Sequence, residues 1–289
     1  MGPVAMGRLT AALSVLLLLG ATACGERSEP TGPVADLYPV TVQSANDRPV
    51  VVTQPARRIA VLDRPAEAIL DELGTGNRIV MRAPAGRINF TALRRSHPDL
   101  IVAAGEADLR DLSRAASVTR AQVYTAPGDS IHQVEHAITQ LGLLVGRPVT
   151  ARGLVRRIEA QRHKVDARIA RAPLVTVFVD TGFFTTVSDQ SLIGDVIREA
   201  RGTNVAGATA ESGPVDAADL LQLDPDVYLA MSDTGLTLMD LRRNPRTRKL
   251  RAIRNGRFVV PNADLLQPGP RIGEGLAEVA RLLHPNAFR

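Results

Sequence analysis

The side chains that could do covalent chemistry do not fall into the spacings that an enzyme needs. The sequence contains no G-x-x-x-x-G-K phosphate loop, no G-x-S-x-G nucleophile turn and no H-E-x-x-H zinc site. His132 and His136 are one helical turn apart, a spacing that can bind metal, but no third or fourth ligand accompanies them. A surface helix explains the pair better, so we predict no metal site, no cofactor and no enzymatic activity.

A second group of residues follows predicted strands, where open α/β sheets bind their ligands. The first half contributes Asp63, Arg64, Arg82, Gly105 and Glu106, and the second half contributes Phe183, Phe184, Ser212, Ser232, Asp233, Asp264, Gln267 and Arg271. Because the planar fork of arginine suits carboxylate and phenolate oxygens, these arginines favour an anionic ligand. Three alternatives remain open: Asp63 as a helix cap, the phenylalanines as core residues, and Arg271 in an intramolecular ion pair.

Apolar runs alternate with helical patterns, which predicts that these residues stand on an α/β fold with mainly parallel sheets. Strands are expected near residues 58–62, 78–81, 100–103, 122–125, 175–179, 227–231 and 258–260. Helices are expected near residues 66–73, 108–115, 131–144, 192–200, 217–223 and 272–283. A Pro-Asp-apolar sequence starts at Pro98 and again at Pro225, which suggests two similar lobes at 38–147 and 173–289.

One long amphipathic helix is predicted between these lobes, over residues 148–172. Pro148 suits the first helical position, where its missing N–H costs nothing. The apolar face is expected to contain Val149, Leu154, Val155, Ile158, Val165 and Ile169. About 22 residues at about 1.5 Å each form a rod of roughly 33 Å, which should permit only small movements between the lobes.

The N-terminal residues predict export and a lipid anchor. Arg8 is the only charge in the first 25 residues, and the apolar run that follows it fits a secretory signal peptide over residues 1–23. Ala21, Thr22 and Ala23 precede Cys24, the only cysteine, in a pattern that resembles a bacterial lipobox. Residues 24–37 are polar and rich in Pro and Gly, so we expect lipidated Cys24 to begin a flexible tether. The expected location is extracytoplasmic and membrane-anchored.

The charge balance does not indicate nucleic acid as a partner. The net charge is +5, but the basic residues are scattered, with small clusters at 156–157 and 242–249. Aromatic residues make up only 3% of the chain and tryptophan is absent, so stacking platforms for single strands are lacking. We therefore expect a monomer whose basic residues lie on a solvated surface.

Several segments, taken in order, resemble the substrate-binding proteins of ABC importers for iron-siderophore, cobalamin and haem. They begin at residues 38–42, 58–62 and 68–74 and continue through 191–195, 202–206, 220–227 and 254–260; the finish at 268–272 and 282–285 is especially similar. The resemblance covers about residues 38–286. It implies two Rossmann-like lobes joined by a single long helix, a ligand cleft between them, and an ABC permease with its ATPase as partners. It also implies a small metal chelate, such as a ferric siderophore, as the ligand.

Two departures from this family pattern bear on ligand and partner. Ala104 and Ser212 stand where relatives have aromatic cleft residues, and the segment between Met81 and Asn89 is short, which disfavours cobalamin and haem. The two glutamates that relatives use for permease docking correspond to Thr91 and Ala218, and only Asp216 and Asp219 offer a replacement. A lipoprotein of the same fold that senses or scaffolds without a transporter therefore remains an alternative, as does a cobalamin or haem binder.

Overall fold

The computed structural model describes residues 37–83, 88–208 and 213–289. The predicted signal peptide, Cys24 and all but the last residue of the predicted tether lie outside the described residues, as do Ser212 and residues 84–87 of the shortened segment. Within the described ranges, no helix has the length and hydrophobicity that crossing a membrane requires.

Two four-stranded parallel sheets form the framework, one in each half of the chain. The first has the order β4-β3-β5-β6, formed by β3 (Ile59–Val61), β4 (Ile79–Arg82), β5 (Leu100–Ala104) and β6 (Gln122–Ala126). The second has the order β12-β11-β7-β9, formed by β7 (Val175–Asp180), β9 (Gly202–Asn204), β11 (Val227–Ala230) and β12 (Phe258–Val259). Two antiparallel pairs supplement them: β1 (Val40–Gln43) with β2 (Pro49–Val52), and β8 (Thr185–Thr186) with β10 (Gly213–Pro214). The predicted α/β fold class is confirmed.

Ten helices in the described ranges connect and cover these strands. They are α1 (Arg64–Glu72), α2 (Phe90–Ser96), α3 (Leu109–Thr119), α4 (Ile131–Leu144), α5 (Pro148–Ile169), α6 (Leu192–Glu199), α7 (Ala217–Leu223), α8 (Leu238–Arg243), α9 (Arg251–Arg254) and α10 (Ile272–Leu283). Most of them begin at a short polar residue whose side chain accepts a backbone N–H; Ser130 caps α4 and Ser191 caps α6 in this way. The seven predicted helices start within two residues of their observed first residues, whereas α2, α8 and α9 were not predicted.

The strands are buried on both faces, and alternate residues belong to different cores. In β5, Leu100 and Val102 face the large central core, whereas Ile101 and Ala103 face a smaller one on the outer side of the first sheet. The second sheet shows the same division, with a further small core that includes Phe178 and Tyr228 on its outer side. The period of two follows from side chains pointing to opposite faces of a strand, and two covered faces are expected of parallel sheets.

The central core runs without interruption from one lobe to the other through α5. Leu154, Ile158 and Val165 of this helix are buried in the same cluster as side chains from both sheets. Val149 was predicted on the same face but is 63% exposed, because the first-turn residue that enters the core is Ala151, two positions on and so on the opposite side of the helix. The long helix over residues 148–169 is therefore a shared structural element of both lobes.

Polar contacts reinforce this junction on the side of α5. Arg162 forms a bidentate pair with Glu199 of α6, at 2.6 and 2.9 Å, and also reaches Glu135 of α4 at 3.3 Å. Asp195 of α6 accepts the backbone N–H of Ile131, the first residue of α4, at 2.8 Å. The start of a first-lobe helix is thus capped by a second-lobe carboxylate, which also pairs with Arg198 of its own helix.

Candidate functional site

A cavity of about 250 Å³ lies between the lobes, next to the carboxyl ends of β3, β5 and β6. The first lobe contributes Asp63 and the turns at 104–106 and 126–129; the second contributes Val187 and residues 191–193 and 266–268. Gly128 approaches Pro268 so closely that a β-carbon on the glycine would lie 2.8 Å from the Cβ of the proline. The two lobes therefore touch at this cavity, and a side chain at Gly128 would separate them.

Asp63 serves as a helix cap and also faces the cavity. Its Oδ1 accepts the backbone N–H of Ala66 at 2.7 Å, so the helix-cap alternative is confirmed. Its Oδ2 is buried and has no hydrogen-bond partner among the described residues. Burial raises the pKa of Asp63 to about 6; the bond from Ala66 opposes this rise and the Glu106 carboxylate adds to it. With this oxygen unpaired, the Asp63 carboxyl can carry a proton near pH 6.

A second and larger cavity, of about 640 Å³, lies in the second lobe at the carboxyl ends of β7 and β11. Residues 180–185 form one wall, and Asp233, Thr234, Leu236, Asp240, Leu241 and Asn244 form the other. Phe183 is 99% exposed, so it is not a core residue, whereas Phe184 packs partly against the outer core of the second sheet. Both phenylalanines have positive φ, 53° and 60°, a conformation that bulky residues rarely adopt and that clusters at binding sites.

Asp180 holds this loop in place from a buried position at the end of β7. Its Oδ2 accepts the hydroxyl of Tyr228 at 2.5 Å, and its Oδ1 accepts the backbone N–H of Gly182 at 2.8 Å. Burial, together with the adjacent carboxylate, raises the pKa of the Tyr228 phenol. Both oxygens of Asp180 therefore take part in hydrogen bonds that hold the loop. The exposed ring of Phe183 is the part of the loop that can contact a ligand.

The charged side chains around both cavities are acidic. Asp63, Glu106 and Asp129 line the inter-lobe cavity, and Asp180, Asp233 and Asp240 line the second. Among the residues that the structure describes, no lysine or arginine lines either one. The chain as a whole has a net charge of +5, so its excess cations lie outside the lining of these two cavities.

The three arginines predicted to bind an anion lie elsewhere. Arg82 pairs with Glu67 of α1 at 2.5 Å. Arg271 pairs with Glu274 of its own helix, at 2.7 and 3.0 Å, which is the intramolecular alternative considered above. Arg64 is exposed on the first turn of α1. The prediction that these arginines bind an anion therefore finds no support in the lining of either cavity.

The remaining predicted ligand residues divide between the two cavities or lie outside them. Gly105, Glu106 and Gln267 line the inter-lobe cavity together with Asp63, whereas Phe183, Phe184 and Asp233 line the second. Ser232 lies next to Asp233, but its Oγ accepts the backbone N–H of Ala263 at 2.9 Å. Asp264 is exposed in the short helical turn before Gln267 and lines neither cavity.

Several cavity residues were not identified from the sequence. Residues 127–129 directly follow β6, so the strand-end rule would have found them had it been applied to that strand. Ser191, Leu192 and Ile193 form the start of α6, and Pro268 belongs to a turn; neither follows a strand of the second sheet. These residues reach the cavity only because the lobes pack together, which no local pattern indicates.

The structure also describes the two aspartates predicted to dock on a permease and the predicted histidine pair. Asp216 caps α7 by accepting the N–H of Ala218 at 2.7 Å, and Asp219 is exposed one turn on. His136 is hydrogen-bonded to Gln140 at 2.8 Å, and His132 lies 3.7 Å from Glu135. Across the described ranges, no group of three or more His, Cys, Asp or Glu side chains is arranged to hold a metal ion.

Comparison with known proteins relates this architecture to binding proteins. A sequence model described as periplasmic binding protein matches residues 47–265. The uncharacterized ABC transporter substrate-binding lipoprotein YvrC of Bacillus subtilis is 22% identical over 311 residues, covering 96% of each chain.

Solved structures with the same fold include three from other bacteria. The Helicobacter pylori CeuE structure with Ni and His is 16% identical, with a TM-score of 0.74, and covers 86% of this chain and 89% of its own. The vitamin B12 binding protein BtuF of Vibrio cholerae is 18% identical, with a TM-score of 0.71, covering 81% and 99%. A Saccharomonospora viridis protein from an Fe³⁺-hydroxamate transport system is 19% identical, with a TM-score of 0.69, covering 85% and 99%.

Proposed function

Because this chain belongs to the periplasmic binding protein family, we propose that it captures a small ligand outside the cytoplasm and delivers it to an ABC importer. The relation to YvrC, whose name includes an ABC transporter and a lipoprotein, extends over nearly the full length of both chains and supports this role. The partners are a membrane permease and its ATPase. Lipidation of Cys24 anchors the monomer, and Asp216 and Asp219 contribute to docking on the permease.

The ligand is a small metal chelate with neutral or positive overall charge. The observation that carries this proposal is the lining of the cavities, where carboxylates are present and no cation occurs among the described residues. An anionic chelate would meet repulsion there, which typically costs affinity and slows encounter. A ferric chelate whose ligand charges only balance the metal avoids this repulsion, and the Fe³⁺-hydroxamate neighbour is consistent with that class.

Cobalamin and haem fit the cavities less well. The inter-lobe cavity, at about 250 Å³, lies below the range of roughly 300–1,000 Å³ typical of drug-sized ligands, so it disfavours any ligand in proportion to its bulk and the two macrocycles more than a smaller chelate. Haem iron also needs an axial ligand such as His, Tyr, Cys or Met, and none of these lines either cavity within the described residues. Phe183, exposed beside the larger cavity, offers one apolar contact surface to a chelate.

The test is a thermal-shift titration of the chain from residue 26 onward. All described contacts lie after residue 36, so this form keeps the complete core. The probes are a neutral ferric tris-hydroxamate, an anionic ferric tris-catecholate, cobalamin and haem. A ligand at 100 times its Kd adds about 2.7 kcal/mol of stability, and each kcal/mol raises the Tm by roughly 2–4 °C. Stabilisation by the hydroxamate complex alone is the expected result; stabilisation by the catecholate alone would refute the charge argument.

A matched pair of variants assigns the site. Glu106→Gln removes a charge from the inter-lobe cavity, and Glu159→Gln removes one from the exposed face of α5. We expect the first to change affinity for a cationic or neutral chelate and the second to leave it unchanged. Equal affinities in both variants and the unmodified chain would show that the ligand does not bind in the inter-lobe cavity.

A ligand sensor or scaffold without a transporter is the second candidate. It is favoured by Thr91, an exposed threonine on α2 at a position where relatives carry a docking glutamate. Uptake of the stabilising chelate by cells with and without the gene separates the two roles. Uptake that depends on the gene supports the importer, and unchanged uptake supports the sensor.

A further inference from the structure

The net positive charge of this protein comes from one short stretch of the second lobe, although basic residues occur throughout the chain. Residues 241–263 contain seven arginines and one lysine, and no aspartate or glutamate. Since the whole chain has a net charge of +5, everything outside this stretch carries a net charge of −3. The basic character of the protein is therefore a local property of this stretch.

The stretch is held rigidly by buried residues that alternate with the cations. It comprises α8, a turn, α9 and β12, and its buried side chains are Leu241, Thr247, Leu250, Ala252 and Ile253. Thr247 donates its hydroxyl to the carbonyl of Leu241 at 2.7 Å, which fixes the turn between the two helices. Six cations point outward and are exposed; we call them the basic face, and they are Arg242, Arg243, Arg246, Arg248, Lys249 and Arg254.

The basic face is not neutralised by the protein itself. Within the described ranges, none of its six side chains forms an ion pair. The pKa of nearby Asp240 is lowered mainly by hydrogen bonds from Thr237 and, to a smaller extent, by the charge of Arg243. The two other cations of the stretch have structural roles: Arg251 pairs with Asp226 at 3.1 Å, and Arg257 donates to the carbonyl of Leu283 at 2.9 Å. The six cations that remain lack any such role in the fold.

We propose that the basic face lies against an anionic phospholipid surface. Such a surface attracts clusters of about four to eight Lys or Arg side chains, each adding roughly fivefold to the partition coefficient. The basic face has no exposed aromatic residue, because Phe258, the one aromatic in the stretch, packs against the outer core. Single-stranded nucleic acid, which needs stacking platforms, is therefore a poorer fit, as is deep insertion into the lipid.

The proposed lipid anchor places such a surface within reach. The 13 residues between Cys24 and Tyr38 span at most about 45 Å as an extended chain and about 20 Å on average as a flexible one. Only this proximity rests on the proposed anchor, because attraction between the basic face and lipid exists without it. Contact through the basic face would give the tethered protein a preferred orientation on the membrane.

The test is sedimentation of the chain from residue 26 onward with vesicles, either pure phosphatidylcholine or phosphatidylcholine with about 30% phosphatidylglycerol. The basic-face variant carries Gln at Arg242, Arg243, Arg246 and Arg248. The control variant carries Gln at the exposed residues Arg94, Arg95, Arg110 and Arg156, so both have the same net charge. At about 50 mM salt, where screening is weak, we expect binding to the anionic vesicles only. The basic-face variant should lose at least 100-fold in partitioning, and the control less than tenfold.

Three outcomes would overturn the proposal. Equal losses in the two variants would show that net charge, not the basic face, drives binding. No binding of the unmodified chain to anionic vesicles would remove lipid as the partner. Binding to poly-glutamate or to a single-stranded oligonucleotide, without binding to vesicles, would assign the basic face to an acidic macromolecule instead. Equal melting temperatures of all three proteins establish that the variants are folded, and a chelate titration of the same samples reports separately on ligand capture.

Discussion

Replacing Arg162 with methionine should destabilise the junction between the lobes. The guanidinium joins Glu199 of α6 to Glu135 of α4, and the side chain of Glu135 is only 7% exposed. Removing one partner of a buried ion pair costs about 3–5 kcal/mol, because the other charge stays buried without compensation. Glu199 is a quarter exposed and can be solvated by water, so we place the loss at about 2–4 kcal/mol.

The pH dependence of this loss distinguishes an electrostatic cause from a packing defect. Burial raises the pKa of Glu135, and Arg162 lowers it, so the pKa rises further once the arginine is gone. A carboxyl whose folded pKa is raised loses stability as the pH increases from its unfolded pKa to its folded pKa. The Arg162→Met defect should therefore be largest near pH 7.5 and smaller near pH 4.5, where Glu135 takes up a proton.

Urea unfolding at the two pH values measures this effect. Arg156→Met is the matched control, since Arg156 lies on the exposed side of the same helix. Adding Glu135→Gln to Arg162→Met should recover part of the lost stability, because the buried charge is then absent. A defect that is equal at both pH values, or no larger than that of the control, would refute the reasoning.

Three further substitutions test other contacts. The unmodified chain should lose about 1–3 kcal/mol of stability as the pH rises from 4 to 6, because the raised pKa of about 6 makes the folded state bind the Asp63 proton more tightly than the unfolded state does. Asp63→Asn should remove this loss, and melting temperatures measured across the range test it. Gly128→Ala should destabilise the protein by about 1–3 kcal/mol and weaken chelate binding, since its β-carbon would clash with Pro268; a normal Tm and affinity would contradict this. Tyr228→Phe should cost about 2–3 kcal/mol by leaving a buried oxygen of Asp180 unpaired, and an unchanged urea midpoint would argue against it.

The sequence was sufficient to predict the fold because the strong elements carry independent local signals. Central strands such as β5 and β11 are continuous apolar runs, and α5 combines a first-turn proline with an amphipathic pattern. The family prediction is confirmed, since the matched model covers residues 47–265. The edge strand β9 was missed: it has only three residues, Gly-Thr-Asn, with no apolar run.

The candidate site was predictable only where it depends on the strand-end rule. That rule found Asp63, Glu106 and Phe183, which line the cavities. It could not choose between the two roles considered for Arg271, because pairing with Glu274 three positions on depends on side-chain geometry. The acidic lining of each cavity comes from one lobe, Asp63, Glu106 and Asp129 from the first and Asp180, Asp233 and Asp240 from the second. Its members are distant in sequence and meet only because the strands of that lobe end at the same edge of its sheet.

The core shared by the two lobes has a consequence for the order in which the protein can mature. Helix α10 packs against α5 so tightly that a β-carbon at Gly273 would lie 2.2 Å from the Gln161 side chain, and its apolar face completes the central core. All strands of both sheets precede α10 in the chain, so the core is complete only after residue 283 is available. A chain that crosses a membrane N-terminus first would therefore stay incompletely folded until this helix has emerged. Completion of the central core is thus restricted to molecules whose translocation has finished.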